Sequence, residues 1–227
     1  MQTKLGKIIT IEGSDGSGKK TQTKLLTARM EKGGYKTATM AFPRYDTPIG
    51  TKIWEYLNPK EGSGNVYSVN PLIAIGWYAE DRLGAKTEII SWINSGYNVI
   101  FDRWIESNMA HQTAKFHKED RGMIAEWIRY LEIEKNGLPE SDLVVYLYLP
   151  VEWNQRAMEK EGRIKDIHEK DVKYLLKVEE TYLWLASKYK NWRIINCLKK
   201  TENGEERKSV EEINDEIWAV VEPMLIK

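Results

Sequence analysis

The amino-acid sequence predicts an α/β fold in which helices cover both faces of a parallel sheet. Short apolar segments alternate with helical stretches along the chain. Strands that alternate with helices in this way pair in parallel through right-handed crossovers. A glycine-rich loop separates the first strand from the first helix. The 227 residues, 41% of them hydrophobic, suffice for one sizeable core.

Five segments are predicted to be strands because each is a short and mainly apolar run. They are Ile8–Glu12, Lys36–Phe42, Tyr97–Phe101, Leu143–Leu149 and Arg193–Cys197. Helical or connecting stretches separate them, as the parallel arrangement requires.

Four segments are predicted to be helices, and their ends follow from glycines and apolar spacing. They are Lys19–Lys32, Pro71–Asn94, Asp171–Tyr189 and Ser209–Met224. The first ends at Gly33-Gly34, because glycine accepts the left-handed conformation that closes a helix. The second places apolar residues such as Ile75, Tyr78 and Ile89 close to the helical period.

No domain boundary is evident, and we expect a single domain over residues 1–227. Two segments are expected to be mobile: the glycine-containing loop 58–68 and the charged connection 199–209. The strand and helix patterns continue on both sides of each segment, so neither is interpreted as a linker.

The composition excludes several classes of protein. The 34 basic residues balance the 34 acidic residues, so we expect no nucleic-acid partner. No stretch approaches the roughly 18 uninterrupted apolar residues of a spanning helix, and we expect no membrane partner. The first residues lack an apolar run long enough for a signal peptide. Cys197 is the only cysteine, which suits a reducing, cytoplasmic location.

The stretch IITIEGSDGSGKKTQTK, residues 8–24, carries the strongest motif. It fits the phosphate-binding pattern G-x-x-x-x-G-K-[ST] at Gly13, Gly18 and Lys19, between a predicted strand and a predicted helix. Glycines let backbone amides approach phosphate oxygens, and the lysine adds positive charge at the β- and γ-phosphates. The predicted ATP-binding residues are Gly13, Ser14, Gly16, Ser17, Gly18, Lys19, Lys20 and Thr21.

Charged side chains follow two other predicted strands. Asp102 and Arg103 follow the third strand, and Arg44 follows the second. The carboxyl ends of parallel strands form the edge where such sheets bind ligands. A carboxylate there can hold magnesium and an arginine can bind phosphate, although a salt-bridged strand end or a solvated loop gives the same pattern.

Tyr78 and Arg82 are four residues apart and share one face of a predicted helix. The pair could stack on a base and bond its carbonyl edge. Taken alone, a core tyrosine beside a surface arginine explains the same spacing.

Together these fragments resemble the thymidylate kinases. EGSDGSGK, FPRY, the Tyr78 and Arg82 pair, DRWIESNMAHQ, GRIKDIHEKD and VEETYLWLA occur in the order and approximate spacing of that family, over nearly the whole chain. The resemblance implies a three-layer phosphate-loop NTPase fold with a five-stranded parallel sheet and a lid at about residues 156–168. It also implies transfer of the γ-phosphoryl group of ATP to dTMP with Mg²⁺, giving dTDP for dTTP synthesis.

The resemblance also implies a homodimer. Its candidate contact surfaces are the helix Pro71–Asn94, the aromatic-rich segment 123–133 and the helix after Ser107.

The resemblance assigns roles to residues by matching position. Asp15 is expected near the acceptor phosphate and sugar, with Arg44 and Arg103 on the dTMP phosphate. Tyr78 would stack on thymine and Arg82 would bond its O4. The residues expected around the pyrimidine and sugar are Ser107, Asn108, His111 and Gln112, and Asp102 is expected at the metal.

A further arginine is expected from the lid. Some members carry it inside the phosphate loop, directly after the aspartate, where this chain has Gly16. The candidates are Arg156, Arg163 and Lys165, and Arg163 is preferred because it heads the lid segment. A solvated basic loop is the alternative. The predicted catalytic residues are Lys19, Asp15, Arg103 and Arg163.

Three positions depart from the family pattern. Trp104 replaces a tyrosine after Asp-Arg. His111 stands where many relatives have a tyrosine near the sugar 2′ position, so it either crowds a 2′-hydroxyl or is a packed helix histidine. Lys20 replaces the hydroxyl residue that binds Mg²⁺, and Thr21 lies one residue late, about 100° further round the helix.

Three consequences of Lys20 are open. The metal is held by ATP oxygens, water and Asp102, which we prefer; or Lys20 replaces part of the metal's charge; or turnover is badly impaired. The alternative functions are a non-catalytic nucleotide sensor on the same fold, or a kinase for another deoxynucleoside monophosphate or a deoxynucleoside.

Overall fold

A computed structural model describes residues 5–60, 64–160, 165–202 and 204–226. Within these ranges the main sheet has five parallel strands in the order β2-β3-β1-β4-β5. The strands are β1 (Ile8–Gly13), β2 (Thr37–Ala41), β3 (Asn98–Asp102), β4 (Leu143–Tyr148) and β5 (Trp192–Asn196). The five predicted strands are therefore confirmed, with small differences at their ends.

Helices flank this sheet on both faces. They are α1 (Lys19–Lys32), α2 (Pro48–Leu57), α3 (Pro71–Asn94), α4 (Ile105–Thr113), α5 (Arg121–Arg129), α6 (Val151–Lys160), α7 (Ile167–Lys170), α8 (Val172–Lys188) and α9 (Val210–Val221). A π-helical segment, Tyr130–Lys135, continues α5, and a 3₁₀ turn, Glu222–Met224, follows α9. No helix of the described ranges is long and apolar enough to cross a membrane.

The four predicted helices are confirmed as α1, α3, α8 and α9. The sequence missed α2 and α5–α7 and anticipated α4 only as an unbounded helix after Ser107. Each of these helices has ten residues or fewer, which is too short to establish a clear period. In α4 the polar residues are themselves buried, so its sequence has no polar face that contrasts with an apolar one.

Strand residues alternate between the two helical layers, because successive side chains of a strand point to opposite faces. Val99 and Phe101 join the core under α3, α4, α5 and α8. Ile9 and Ile11 join the core under α1 and α9. Covering both faces is what a parallel sheet requires, and it leaves the strand ends as the open edge.

The charged connection 199–209, interpreted from the sequence only as a mobile connection, contains a hairpin. Strands β6 (Leu198–Thr201) and β7 (Gly204–Arg207) pair antiparallel. Lys199 Nζ lies 3.3 Å from Glu206 across the hairpin and 2.8 Å from Glu212 in α9. Ion pairs rather than apolar alternation stabilise this hairpin, and the strand pattern is correspondingly absent from the sequence.

Candidate active site

The carboxyl ends of the parallel strands open into one large cavity of about 1070 Å³. The phosphate loop forms one wall, and residues after β2 and β3 form the next. Helices α3, α4, α7 and α8 and the residues that follow β7 complete it. This placement at the strand ends agrees with the rule for ligand sites in open α/β sheets.

The phosphate loop turns tightly between β1 and α1. Gly16 and Gly18 have φ angles of +83° and +101°, which favour glycine. Lys19 is buried, and its Nζ donates to Ser14 O at 2.9 Å. Helix α1 has no side-chain cap, so the amides of its first turn remain available to an anion. Burial and the neighbouring Arg103 lower the pKa of Lys19.

Asp15 lies between two cations. Arg103 Nη2 donates to Asp15 Oδ1 at 3.0 Å and to Oδ2 at 3.1 Å, and Lys19 Nζ lies 3.4 Å from Oδ1. Burial alone would raise the pKa of Asp15, but Lys19 and Arg103 hold it well below its usual range. Arg103 has a φ of +68°, an unusual value for a residue other than glycine. The structure therefore brings together three of the four predicted catalytic residues.

Glu12 is a residue at this site that the sequence analysis missed. Its carboxylate is fully buried and accepts hydrogen bonds from Ser107 Oγ at 2.6 Å, Tyr182 OH at 2.8 Å and Trp104 N at 3.0 Å. Arg103 Nη1 in turn donates to Ser107 Oγ at 3.2 Å. Burial raises the pKa of Glu12, and Arg103 opposes that rise. The sequence feature that could have identified Glu12 is an acidic residue at the end of an apolar strand.

Asp102 is a candidate metal ligand. It lines the cavity, and no described residue forms a hydrogen bond or ion pair with its carboxylate. The described residues contain no group of three His, Cys, Asp or Glu side chains that could hold a metal. Mg²⁺ binds through one or two carboxylates together with substrate phosphates, so one free carboxylate fits a nucleotide-bound ion. Lys20 and Thr21 are both exposed.

A polar pocket lies at the α3–α4 end of the cavity. Arg82 is 2% exposed and donates from Nε and Nη2 to both oxygens of the fully buried Glu132, at 2.5 and 2.6 Å. Asn108 Nδ2 donates to Glu132 Oε1 at 2.8 Å. Asn108 Oδ1 and both polar atoms of Gln112 are buried without a partner in the described residues. Tyr78 lines the same pocket, and the sequence analysis missed Glu132.

His111 both packs and lines the cavity, so the structure supports neither alternative alone. Its Nδ1 lies 3.1 Å from Tyr174 OH, and its Nε2 lies 3.4 Å from Arg103 Nη1. The ring stacks on His168 at 5.8 Å. Burial and Arg103 hold the pKa of His111 well below its usual range.

A buried cation connects His168 to α2 and α4. Lys115 Nζ donates to Tyr56 OH at 2.7 Å and lies 3.5 Å from His168 Nε2. Burial lowers the pKa of Lys115 to about 7. His168 belongs to α7 and is the last residue of the predicted lid segment, so this cluster joins the end of that segment to the cavity wall.

Arg44 does not line the cavity, because its guanidinium and its backbone amide bond to Asp81, and its contact with the dTMP phosphate stays a prediction. Its Nε donates to Asp81 Oδ1 at 3.0 Å, its backbone N donates to Oδ2 at 2.9 Å, and Nη2 donates to Asp81 O. The buried Asp81 directs the guanidinium against α3. Tyr45, the next residue along the chain, lines the cavity instead.

The predicted lid is described only in part. Arg163, the preferred lid arginine, lies outside the described residues. Arg156 is exposed, with its guanidinium 5.9 Å from the Trp153 ring. Lys165 donates to Gln155 and lies 3.2 Å from Glu159.

Comparisons with known proteins identify close similarity to one family. The family model described as Thymidylate kinase matches residues 11–207. Thymidylate kinase of Mycobacterium tuberculosis (strain H37Rv) is 33% identical over 189 residues, covering 79% of this chain and 86% of its own. The probable thymidylate kinase of Pyrococcus abyssi is 32% identical over 225 residues, covering 97% and 98%. A solved structure of thymidylate kinase from Candida albicans superposes with a TM-score of 0.75 at 26% identity, covering 96% of this chain and 92% of that chain.

Proposed function

The chain belongs to the thymidylate kinase family, and from that premise we propose that it transfers the γ-phosphoryl group of ATP to dTMP, forming dTDP. One arrangement supports this proposal above all. The cavity has a phosphate loop at one end and a polar pocket with unpartnered amide groups at the other. A phosphorylated donor and a base-bearing acceptor can therefore approach each other from opposite ends.

The polar pocket suits a pyrimidine. Glu132 occupies Nε and Nη2 of Arg82, which leaves the other terminal nitrogen to donate to a carbonyl such as O4. Gln112 offers a donor and an acceptor to the base edge. A site with buried unpartnered polar groups selects strongly for a ligand that satisfies them. Tyr78 provides the ring on which the base stacks.

The chemistry at the centre needs positioning and positive charge rather than covalent help. Lys19 and the amides of the phosphate loop bind the β- and γ-phosphates of ATP. Arg103 binds the acceptor phosphate and exchanges part of its bond to Asp15 for the ligand. Glu12 supports Arg103 through Ser107 and through the backbone of Trp104. We assign the remaining positive charge on the transferred group to Arg163 in the lid.

Magnesium fits the site as an ion carried by the nucleotide. Asp102 would hold it, directly or through water, and bound Mg²⁺ would neutralise charge between the donor phosphates. The Lys20 ammonium contributes no ligand to a cation, so the donor set from the protein is smaller than in a loop with serine or threonine at this position.

The apolar surface of the protomer supports a homodimer. Leu72, Ile73 and Leu83 are exposed on α3, and Met123 and Trp127 are exposed on α5. Exposed apolar side chains on these two helices would be covered in such an interface. The helix after Ser107 is a different case: every residue of α4 except His111 is buried in the protomer, so it is not a contact surface.

We further propose one domain over residues 1–227, with the lid at about residues 156–168 and a cytoplasmic location. A continuous sheet whose two helical layers include elements from both ends of the chain supports the single domain.

The test is steady-state phosphorylation of dTMP by ATP. The reaction is monitored by a coupled assay for ADP and by direct detection of dTDP. Turnover with dTMP, and much weaker turnover with dCMP, is expected, because cytosine has an amino group where thymine has O4. Binding of ATP and dTMP without formation of dTDP would instead identify a nucleotide sensor. Lys20 is the observation that favours this second candidate, because it replaces the hydroxyl that binds Mg²⁺. Comparison with the ribose analogue of dTMP tests His111, since equal kcat/KM would exclude it as a gate.

A further inference from the structure

We propose that Arg207, at the end of the β6–β7 hairpin, binds the phosphates of the nucleotide donor. Its Nη2 donates to Gly16 O of the phosphate loop at 2.9 Å, although the two residues are 191 positions apart. Arg207 also lines the cavity together with the loop residues. This inference rests on the proposed function only in taking the phosphate loop as the donor site.

The hairpin positions Arg207 with defined geometry. Arg207 pairs with Leu198, which is 5% exposed and packs in the core under α1 and α9. The next residue is fixed twice: Lys208 N donates to Cys197 O at 2.9 Å, and Lys208 Nζ lies 2.5 Å from Glu216 in α9. The arginine therefore extends from an anchored strand end and not from a free loop.

Charge pairing distinguishes Arg207 from its neighbours. Lys199 and Lys208 both form ion pairs with glutamates of α9. No carboxylate of the described residues lies within ion-pairing distance of Arg207, whose guanidinium donates instead to the neutral backbone carbonyl of Gly16. An exposed guanidinium with donors to spare at an anion-binding loop is well placed for phosphate, which it can bind with two parallel hydrogen bonds.

The position of Arg207 beside the phosphate loop indicates that its ligand is the phosphate donor and not the acceptor. Gly16 has no side chain, so the loop supplies no cation of its own at this turn. The Arg207 guanidinium also lies 3.5 Å from the position that a Cβ on Gly18 would take, directly before α1. The acceptor-side cation Arg103 is bonded to Asp15 instead. Arg207 therefore serves the donor and leaves the acceptor pocket unaffected.

The test measures affinity for a non-hydrolysable ATP analogue by calorimetry, and KM for ATP and for dTMP, in Arg207→Ala and Arg207→Lys. Loss of one exposed charge-assisted hydrogen bond predicts an analogue Kd and an ATP KM raised about tenfold in Arg207→Ala. Arg207→Lys should show an intermediate effect, because lysine keeps the positive charge but cannot donate the two parallel hydrogen bonds of a guanidinium. KM for dTMP should stay within about twofold, the range of a surface substitution.

Lys200→Ala is the matched control. Lys200 is exposed on the same hairpin, pairs with Glu205 across it and does not line the cavity, so its removal changes net charge equally. Equal ATP affinity in Arg207→Ala and Lys200→Ala would overturn the proposal. A parallel loss of ATP and dTMP affinity would also overturn it, since that is the signature of a structural role. Calorimetry measures binding and requires no turnover. A failure of this proposal can therefore be distinguished from a failure of the proposed kinase activity.

Discussion

The two ends of the cavity are built differently. At the acceptor end, charged groups are buried and already paired. Arg82 and Glu132, for example, form an ion pair in which their side chains are 2% and 0% exposed. At the donor end, Lys19 is buried beside Asp15, but Lys20, Thr21 and Arg207 are exposed, and the first-turn amides of α1 have no side-chain cap. The acceptor end is preorganised before a ligand arrives, whereas under the proposed function the donor end is completed by the nucleotide and its metal.

This difference separates specificity from transfer. A buried, prepaired pocket discriminates between bases because a wrong base leaves its polar groups unpaired. An exposed loop of amides and cations binds any triphosphate with weaker selection, since phosphates are common to all of them. Substitutions at the acceptor end should therefore affect stability and base choice, and those at the donor end should affect nucleotide and metal affinity.

The largest effect is expected from Glu132→Leu. Removing this carboxylate leaves the Arg82 charge buried and uncompensated, which costs about 3–5 kcal/mol of unfolding free energy. Urea denaturation measures this loss. Glu126→Leu is the control, because Glu126 pairs with Lys188 at the surface, where a pair contributes about 0–1 kcal/mol. Similar losses in the two variants would contradict the claim that the acceptor end is prepaired.

The next effect is expected from Arg103→Ala. Arg103 is the cation that lies between Asp15 and Ser107 at the centre of the cavity. Its removal should lower kcat for dTMP phosphorylation by about 10²–10³-fold, as for loss of one preorganised donor. Thermal unfolding of the same variant serves as a control on folding. A kcat within a fewfold of wild type would exclude Arg103 from the transfer step.

Lys115→Met tests the buried cation beside the lid segment. Burial lowers the pKa of Lys115 from 10.5 to about 7, so between these values the unfolded chain binds more protons than the folded chain. The wild-type protein should therefore gain stability as pH rises from about 7 to about 10. Lys115→Met should be the more stable protein at pH 7, by about 2 kcal/mol, and lose that advantage by pH 10.

Urea titrations of both proteins at several pH values measure this difference. The expected gain in stability of Lys115→Met at pH 7 is modest, because the substitution also removes the hydrogen bond that Lys115 donates to Tyr56 OH. A stability difference that does not change between pH 7 and pH 10 would show that Lys115 is not the group that titrates.

The smallest effect is expected from Lys20→Thr at the donor end. Restoring a hydroxyl and removing a positive charge should tighten apparent Mg²⁺ binding about tenfold, the effect of roughly 1.4 kcal/mol. The measurement is the Mg²⁺ dependence of dTMP phosphorylation at fixed ATP. Stability should change little, because Lys20 is exposed and bonded to no described residue. Unchanged or weaker Mg²⁺ dependence would contradict the role given to this position.

Local patterns were enough to predict much of the fold. The strands were evident as apolar runs, and α1 and α3 were predicted with their observed ends because glycines or polar residues close them. The phosphate loop was equally local, since its glycines and Lys19 lie within seven consecutive residues. Short helices such as α2 were missed because ten residues give fewer than three turns in which an apolar period can repeat. The ion-paired hairpin β6–β7 was missed because its strands have no apolar alternation.

The sequence by itself determined the sheet, the phosphate loop and the family, since each depends on spacing along the chain. Only the tertiary structure decided which charges meet. It pairs Arg82 with Glu132, buries Glu12 under Ser107 and Tyr182, and turns Arg44 to Asp81. These partners lie 37 to 170 residues apart, so no local pattern links them. Folding alone sets the distances, and buried charges are tolerated only where those distances allow a partner.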